Sequence, residues 1–148
     1  MTKTVSEKRP DSLWIPIKSD EKLVRHALRL TERDLESAGR VLKDNDYDWS
    51  FAIAYSAMLQ AGRALMFADG FRPRGEFKHV AVVEFVKQKC PDFAGRLLDS
   101  FDRSRKRRHT VVYDEADTVS KEEAERAVAV AGEFVEKAKE LIGKKWQL

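Results

Sequence analysis

The sequence contains a single cysteine, Cys90, so an internal disulfide is excluded. No Cys/His spacing typical of a zinc site surrounds it, and we expect neither a bound metal nor a cofactor. The seven glycines are scattered, which leaves no P-loop or Rossmann phosphate loop. The chain has no run of eighteen apolar residues and begins with a polar segment. We therefore expect no membrane span and no secretory signal, and a reducing cytoplasm is the simplest location.

What the sequence has in one place is positive charge. The 148 residues include 28 basic and 25 acidic side chains, a net charge of +3. Five cations lie within six positions, and without them the net charge would be −2. They are Arg103, Arg105, Lys106, Arg107 and Arg108. Because the basic character is local, it indicates a binding site rather than general solubility.

The pattern of apolar residues predicts an all-α fold. Residues 1–18 have no periodicity and are predicted to be an irregular arm, with an apolar end that could lie on the body. Residues 19–148 are predicted to form one domain, an up-and-down bundle of four long helices plus one short helix. The helices are expected at about 20–43, 48–69, 77–89, 92–112 and 120–143. Pro91 is expected in the first turn of the fourth helix, and the fifth is expected to begin with a capping box of Ser120 and Glu123 and to end at Gly143. No strand of useful length is expected.

Two arginines continue the apolar stripe of the fourth predicted helix. Counting by threes and fours, Phe101 is followed by Arg105, Arg108 and Val112. A guanidinium on such a line needs a partner, because burying an unpaired charge is costly. The alternative is a solvated face, and that reading stays open for the whole basic run.

Three side chains of different chemistry share one face of the same helix. Arg105, His109 and Tyr113 follow each other at intervals of four residues and could line one concave strip. His109 could also be incidental, and Tyr113 could be an aromatic residue that packs on a neighbour. A further histidine, His79, lies near the start of the third helix. It could be a cap, a surface residue or a second contributor to the basic site.

Several stretches together resemble the HEPN domain, an all-α family of bacteria and archaea. The Ala-rich second helix contains Ala54-Tyr55-Ser56-Ala57-Met58 and Ala61-Gly62-Arg63-Ala64-Leu65, and Gly70-Phe71-Arg72-Pro73 follows it. The family signature is an arginine, a polar residue, three further residues and a histidine. Arg108 and His109 match its first two positions, whereas Tyr113 stands where the histidine is expected. A looser register pairs Arg103 with His109.

The resemblance implies a metal-independent endoribonuclease, often the toxin partner of a minimal nucleotidyltransferase. It also implies a homodimer in which the motif helices of two subunits face each other across a basic groove that binds RNA. The departure at Tyr113 keeps a second function open. This alternative is a catalytically weak or inactive module that binds nucleotide or nucleic acid. A structural interaction protein without a ligand is the third possibility.

If the chain cleaves RNA without a metal, the residues that match the family signature can each be given a role in the reaction. Arg108 fits the phosphoryl oxygens, because its fork of donors pairs with phosphate. His109 is the better base, since a phenol with an ordinary pKa of about 10 is hardly ionised at pH 7. Tyr113 is then left to orient or donate a hydrogen bond. The residues expected to bind flanking phosphates are Arg103, Arg105, Lys106 and Arg107.

Overall fold

Five α-helices make up the fold in the computed structural model, which describes residues 13–76 and 78–146. Their bounds are Glu21–Lys43 for α1, Tyr47–Ala68 for α2, Lys78–Lys89 for α3, Gly95–His109 for α4 and Lys121–Trp146 for α5. The predicted fold class, four long helices plus a short one, is confirmed.

Helix α2 is the centre of the bundle and contacts each of the other four helices. Its length and composition would suffice to cross a membrane, but 72% of its most apolar stretch is buried inside the fold, as in the core helix of a soluble protein. At Gly62, an added Cβ would lie 2.4 Å from Cγ1 of Val82 on α3. The missing side chain therefore allows α3 to approach α2 closely.

A short strand pair joins the N-terminal segment to the body. Strand β1, Trp14–Pro16, pairs antiparallel with β2, Phe71–Pro73. The ring of Trp14 is buried and packs edge-on against Phe85 at 5.3 Å. The expectations of an irregular arm and of no strand are therefore wrong for residues 14–16 and 71–73, although the apolar end does lie on the body. Residues 1–12 of the arm lie outside the described residues.

Helix α4 begins later than its proline suggests. We expected Pro91 in the first helical turn, but the N–H of Phe93 donates to the carbonyl of Cys90 at 3.2 Å. Pro91 thus occupies the second position of a β-turn, where its fixed φ is equally favourable. The helix starts at Gly95. Phe93 still reaches the core and packs on Phe134 with ring centroids 4.7 Å apart.

The end of α4 changes its helical geometry. Residues Thr110–Asp114 form a π-helical turn, closed by the N–H of Glu115 donating to the carbonyl of Thr110 at 3.0 Å. Val111 is buried in this turn, whereas Tyr113 is 66% exposed. The wider turn alters the register in which residues 110–114 face the bundle.

Helix α5 has the predicted start but a different end. The Ser120 Oγ accepts from the N–H of Glu123 at 3.0 Å, as the capping pattern predicts. Gly143 does not end the helix, which continues to Trp146. The indole N–H of Trp146 donates to the carbonyl of Ala68 at 3.2 Å, and Lys145 pairs with Asp69. These contacts with the end of α2 hold the last turn.

Candidate functional site

The basic run of α4 is divided between two faces of the helix. Arg105 and Arg108 face α3 and α2, whereas Arg103, Lys106 and Arg107 line a groove between α4 and α5. The five cations therefore do not form one patch. Their surroundings decide which of them is available for a ligand.

Arg105 is held by an acidic neighbour. Its Nη2 and Nε donate to Oδ1 of Asp102 at 3.0 and 3.2 Å, and Lys87 of α3 donates to the other oxygen at 3.1 Å. Partial burial opposes the ionisation of Asp102, but the hydrogen bonds from Lys87 and Arg105 outweigh it and hold its pKa below the ordinary value. Lys106 lies 3.8 Å from the same carboxylate. This cluster joins α3 to α4.

Arg107 makes the most complete set of contacts in the run. Its Nε and Nη2 donate to the two carboxylate oxygens of Glu123 at 2.8 and 2.9 Å, and Nη2 also donates to the carbonyl of Thr118 at 2.7 Å. The hydrogen bonds from Arg107 lower the pKa of Glu123. Because Glu123 belongs to α5, this forked pair fixes α4, α5 and the segment between them.

The groove between α4 and α5 has a volume of about 690 Å³. Arg96, Arg103, Lys106 and Arg126 line it together with Arg107. Arg96 is paired with Glu133, but among the described residues Arg103 has no carboxylate within ion-pair distance. An exposed row of cations over an apolar floor is suited to the backbone of a nucleic acid.

Arg108 lies in a different environment. It is partly buried and lines a pocket of about 350 Å³. Among the described residues no carboxylate lies within ion-pair distance of its guanidinium, whose Cζ is 6.0 Å from the ring centroid of Tyr113. The pocket is lined by Asp34, Trp49, Ala52, Ile53, Tyr55, Ser56, Leu59, His79, Arg108 and Val112. A partly buried cation without a counter-ion favours binding of an anion.

A tyrosine and a histidine from two other helices line the same pocket. The Tyr55 hydroxyl of α2 is 2.9 Å from Nδ1 of His79, which lies in the first turn of α3. Burial is the largest influence that lowers the pKa of His79, and Arg108, Arg105 and Arg63 lower it further. Burial likewise raises the pKa of Tyr55. The imidazole is therefore neutral and the phenol protonated at pH 7.

Helix α1 contributes a carboxylate to the pocket wall. Asp34 is 6% exposed, and its Oδ2 accepts from the Ser56 hydroxyl at 2.8 Å. Its other oxygen accepts from Nε of Arg33 at 3.0 Å. The pocket thus combines a carboxylate on α1 with an imidazole on α3 and a guanidinium on α4.

His109 and Tyr113 lie at the outer edge of this region. The two rings are 5.3 Å apart, and the side chain of His109 is 71% exposed, with Nε2 at 4.0 Å from Asp114. The structure therefore brings Arg108, His109 and Tyr113 together. It does not bring Arg105 into that group, because its guanidinium is bound to Asp102.

The segment after the motif is fixed by the start of α2. The carboxylate of Asp48 accepts from the N–H of Asp117 at 2.6 Å and from that of Val119 at 3.1 Å. Asp117 has a positive φ of 58°, which a short polar side chain tolerates. Asp48 also lines, with Trp49 and Tyr113, a second pocket of about 290 Å³.

The model of the HEPN domain matches residues 24–141 of the chain. The chain belongs to the HEPN domain family. This match covers every residue that lines the Arg108 pocket, and most of α5. The resemblance to this family is confirmed.

Two solved structures have the same fold as this HEPN domain. The crystal structure of TT1696 from Thermus thermophilus superposes with a TM-score of 0.66 at 19% identity, over 79% of this chain and 96% of that one. The crystal structure of ST0689, an archaeal HEPN homologue, superposes with a TM-score of 0.63 at 18% identity, over 80% of this chain and 97% of that one. At this identity they support the fold alone. A comparison with curated proteins gives no match.

Sequence reasoning left most of the HEPN pocket unassigned. The sequence pattern assigns no site role to Tyr55 or Asp34, and it leaves three roles open for His79. One signal was present: Asp34 lies on the buried face of α1, spaced from Ala27, Thr31 and Ala38 as that face requires. A carboxylate in such a position indicates a polar partner inside. In residues 13–76 and 78–146 no group of three His, Cys, Asp or Glu side chains is placed to hold a metal ion.

Proposed function

We propose that this HEPN domain is a metal-independent endoribonuclease that cuts single-stranded RNA beside Arg108. The observation that carries the proposal is the environment of this arginine. Arg105 and Arg107 are bound to carboxylates, whereas Arg108 lines a pocket and has no carboxylate within ion-pair distance among the described residues. A phosphate supplies the missing negative charge and fits the fork of the guanidinium.

The neighbouring side chains supply the other requirements of the reaction. In metal-free cleavage, the 2′-oxygen attacks the adjacent phosphorus and the 5′-oxygen leaves. Arg108 stabilises the charge that develops on the phosphoryl oxygens. His109 is proposed as a proton-transfer group and Tyr113 as a group that orients the substrate. Both lie on the solvent side of Arg108, where a strand can approach.

The α4–α5 groove offers an RNA strand a binding surface on the other face of α4. Arg103 and Lys106 line it, on the same helix as Arg108. Contacts from such residues to phosphates hold the strand without reading its sequence. We therefore assign Arg103 and Lys106 to binding. Arg105 and Arg107 have mainly structural roles, a change from the expectation that all four bind phosphate.

We further propose that the active form is a homodimer with the two Arg108 pockets near its axis. Trp49 and Tyr113, the two exposed large aromatic side chains beside the pocket, support this surface as the contact. Exposed aromatic residues are enriched at interfaces. Light scattering at micromolar concentration should give twice the mass of the chain. A monomer at all concentrations would contradict the dimer.

The ribonuclease is tested with a labelled single-stranded RNA of mixed sequence in excess EDTA. We expect fragments that end in a 2′,3′-cyclic phosphate and begin with a 5′-hydroxyl. An oligonucleotide of the same sequence with 2′-deoxyribose is the matched control and should stay intact. A purified R108A variant detects contaminating nucleases. No cleavage by the wild-type chain, or cleavage only with added metal, would contradict the proposal.

A second function is favoured by one observation, the tyrosine at the position of the family's histidine. If the chain binds RNA or a nucleotide and does not cut, it is a binding module, and a minimal nucleotidyltransferase is its proposed partner. The Y113H variant separates the two functions. Cleavage that appears only after this substitution would favour the binding module.

A further inference from the structure

His79 has features that a structural histidine does not need. It lines the Arg108 pocket, and Tyr55 fixes its ring through Nδ1 at 2.9 Å. Among the described residues, Nε2 has no hydrogen-bond partner. His109 differs from His79 in both exposure and position, since it is mostly exposed and does not line that pocket.

The charges around His79 favour the neutral imidazole, which is the form that can act as a base. Arg108 and Arg105 of α4 and Arg63 of α2 all disfavour its protonated form, and Asp34 of α1 lines the same pocket. A neutral imidazole can accept a proton at pH 7. The positive charges that keep it neutral also attract the phosphate. When the phosphate binds, its negative charge favours the imidazolium that the reaction forms.

We propose that His79 is a catalytic base of the Arg108 pocket and takes the proton of the attacking 2′-hydroxyl. This inference rests on the proposed ribonuclease activity. It also accounts for Tyr113, because the histidine that the motif lacks at this position is supplied by another helix. His109, expected from the sequence to be the base, is then the acid.

The reaction moves one proton onto His79 and one proton off His109. The reactive tautomer of His79 donates Nδ1–H to the Tyr55 oxygen, which leaves the lone pair of Nε2 for the substrate. Nε2 removes the 2′-hydroxyl proton while the 2′-oxygen forms a bond to phosphorus. The bond from phosphorus to the 5′-oxygen breaks, and this oxygen takes a proton from His109. The products are a 2′,3′-cyclic phosphate and a 5′-hydroxyl end.

The chain has three histidines, which gives a matched set of variants: H26Q, H79Q and H109Q. His26 is exposed on α1 and is the control. The readout is the single-turnover rate of RNA cleavage from pH 5 to pH 9. For the wild-type chain we expect a bell-shaped profile, with an acidic limb from the base and an alkaline limb from the acid.

We expect H79Q to lower the rate about 100- to 10,000-fold and to abolish the acidic limb. H109Q should abolish the alkaline limb, and H26Q should match the wild-type chain. The assignment would be overturned if H79Q cleaved within about threefold of the wild-type rate, or if its rate fell while the acidic limb stayed unchanged. No cleavage by the wild-type chain would instead contradict the ribonuclease proposal itself, and this inference with it.

The Y55F variant keeps the test decisive if H79Q does not fold. It retains the imidazole and removes only the hydroxyl that orients it. We expect a rate loss of about tenfold, the value of one hydrogen bond, and a displaced acidic limb. A folded Y55F with the wild-type profile would overturn the proposal.

Discussion

Arg107 and Arg108 are neighbours in the chain, and the structure predicts opposite consequences for their removal. In R107A, the carboxylate of Glu123 and the carbonyl of Thr118 each lose a charged donor. The side chains of the pair are 31% and 28% exposed, so solvent only partly replaces these bonds. We expect a loss of about 2 kcal/mol in the free energy of unfolding.

Arg108 has no such partner among the described residues. We therefore expect R108A to change the free energy of unfolding by no more than about 0.5 kcal/mol. Urea denaturation followed by circular dichroism measures both variants, and an unchanged m-value would show that the comparison is valid. In a thermal melt, the loss in R107A corresponds to a decrease of about 5 °C in Tm.

A double-mutant cycle with E123A measures the interaction energy between Arg107 and Glu123. The loss in R107A should be much smaller when Glu123 is already absent, because the shared interaction has gone. Equal destabilisation by R107A and R108A would refute the division of the basic run into structural and ligand-binding cations. A negligible effect of R107A would show that the pair does not hold α4 to α5.

Three further predictions concern other parts of the structure. G62A should cost about 1 to 3 kcal/mol in an unfolding experiment, because its Cβ would clash with Val82, and adding V82A should recover part of the loss. D48A should remove two hydrogen bonds from the segment after the motif, and faster amide exchange of Val119 measures the result. His79 has a lowered pKa, so the unfolded chain binds more protons below the ordinary value of 6.5. The wild-type chain should therefore lose stability as the pH falls below that value, and H79Q should lose less.

Local sequence rules predicted the helices because helical periodicity and capping act over a few residues. Ser120 and Glu123 formed the predicted capping box, and α2 is central as its apolar composition indicates. The rules failed where two local structures suit one residue. Pro91 fits the first turn of a helix and the second position of a β-turn equally well, and only packing decides between them.

The site was predictable only where it is continuous in sequence. Arg108, His109 and Tyr113 lie together because they are neighbours in one helix and its last turn. His79 and Tyr55 are 24 residues apart, and their contact depends on how α3 packs on α2. The strand pair of residues 14–16 and 71–73 was missed for the same reason, since each strand has three residues and no pattern of its own.

The role of Arg108 is tested most directly by the single-turnover rate of RNA cleavage in EDTA, for the wild-type chain, R108A and R103A. Arg103 is the comparison for a cation assigned to binding alone, since it lies on the same helix, has no ion pair among the described residues and is exposed. The account predicts a loss of about 100- to 1000-fold for R108A and at most a few-fold for R103A. Equal rates for R108A and the wild-type chain would contradict it.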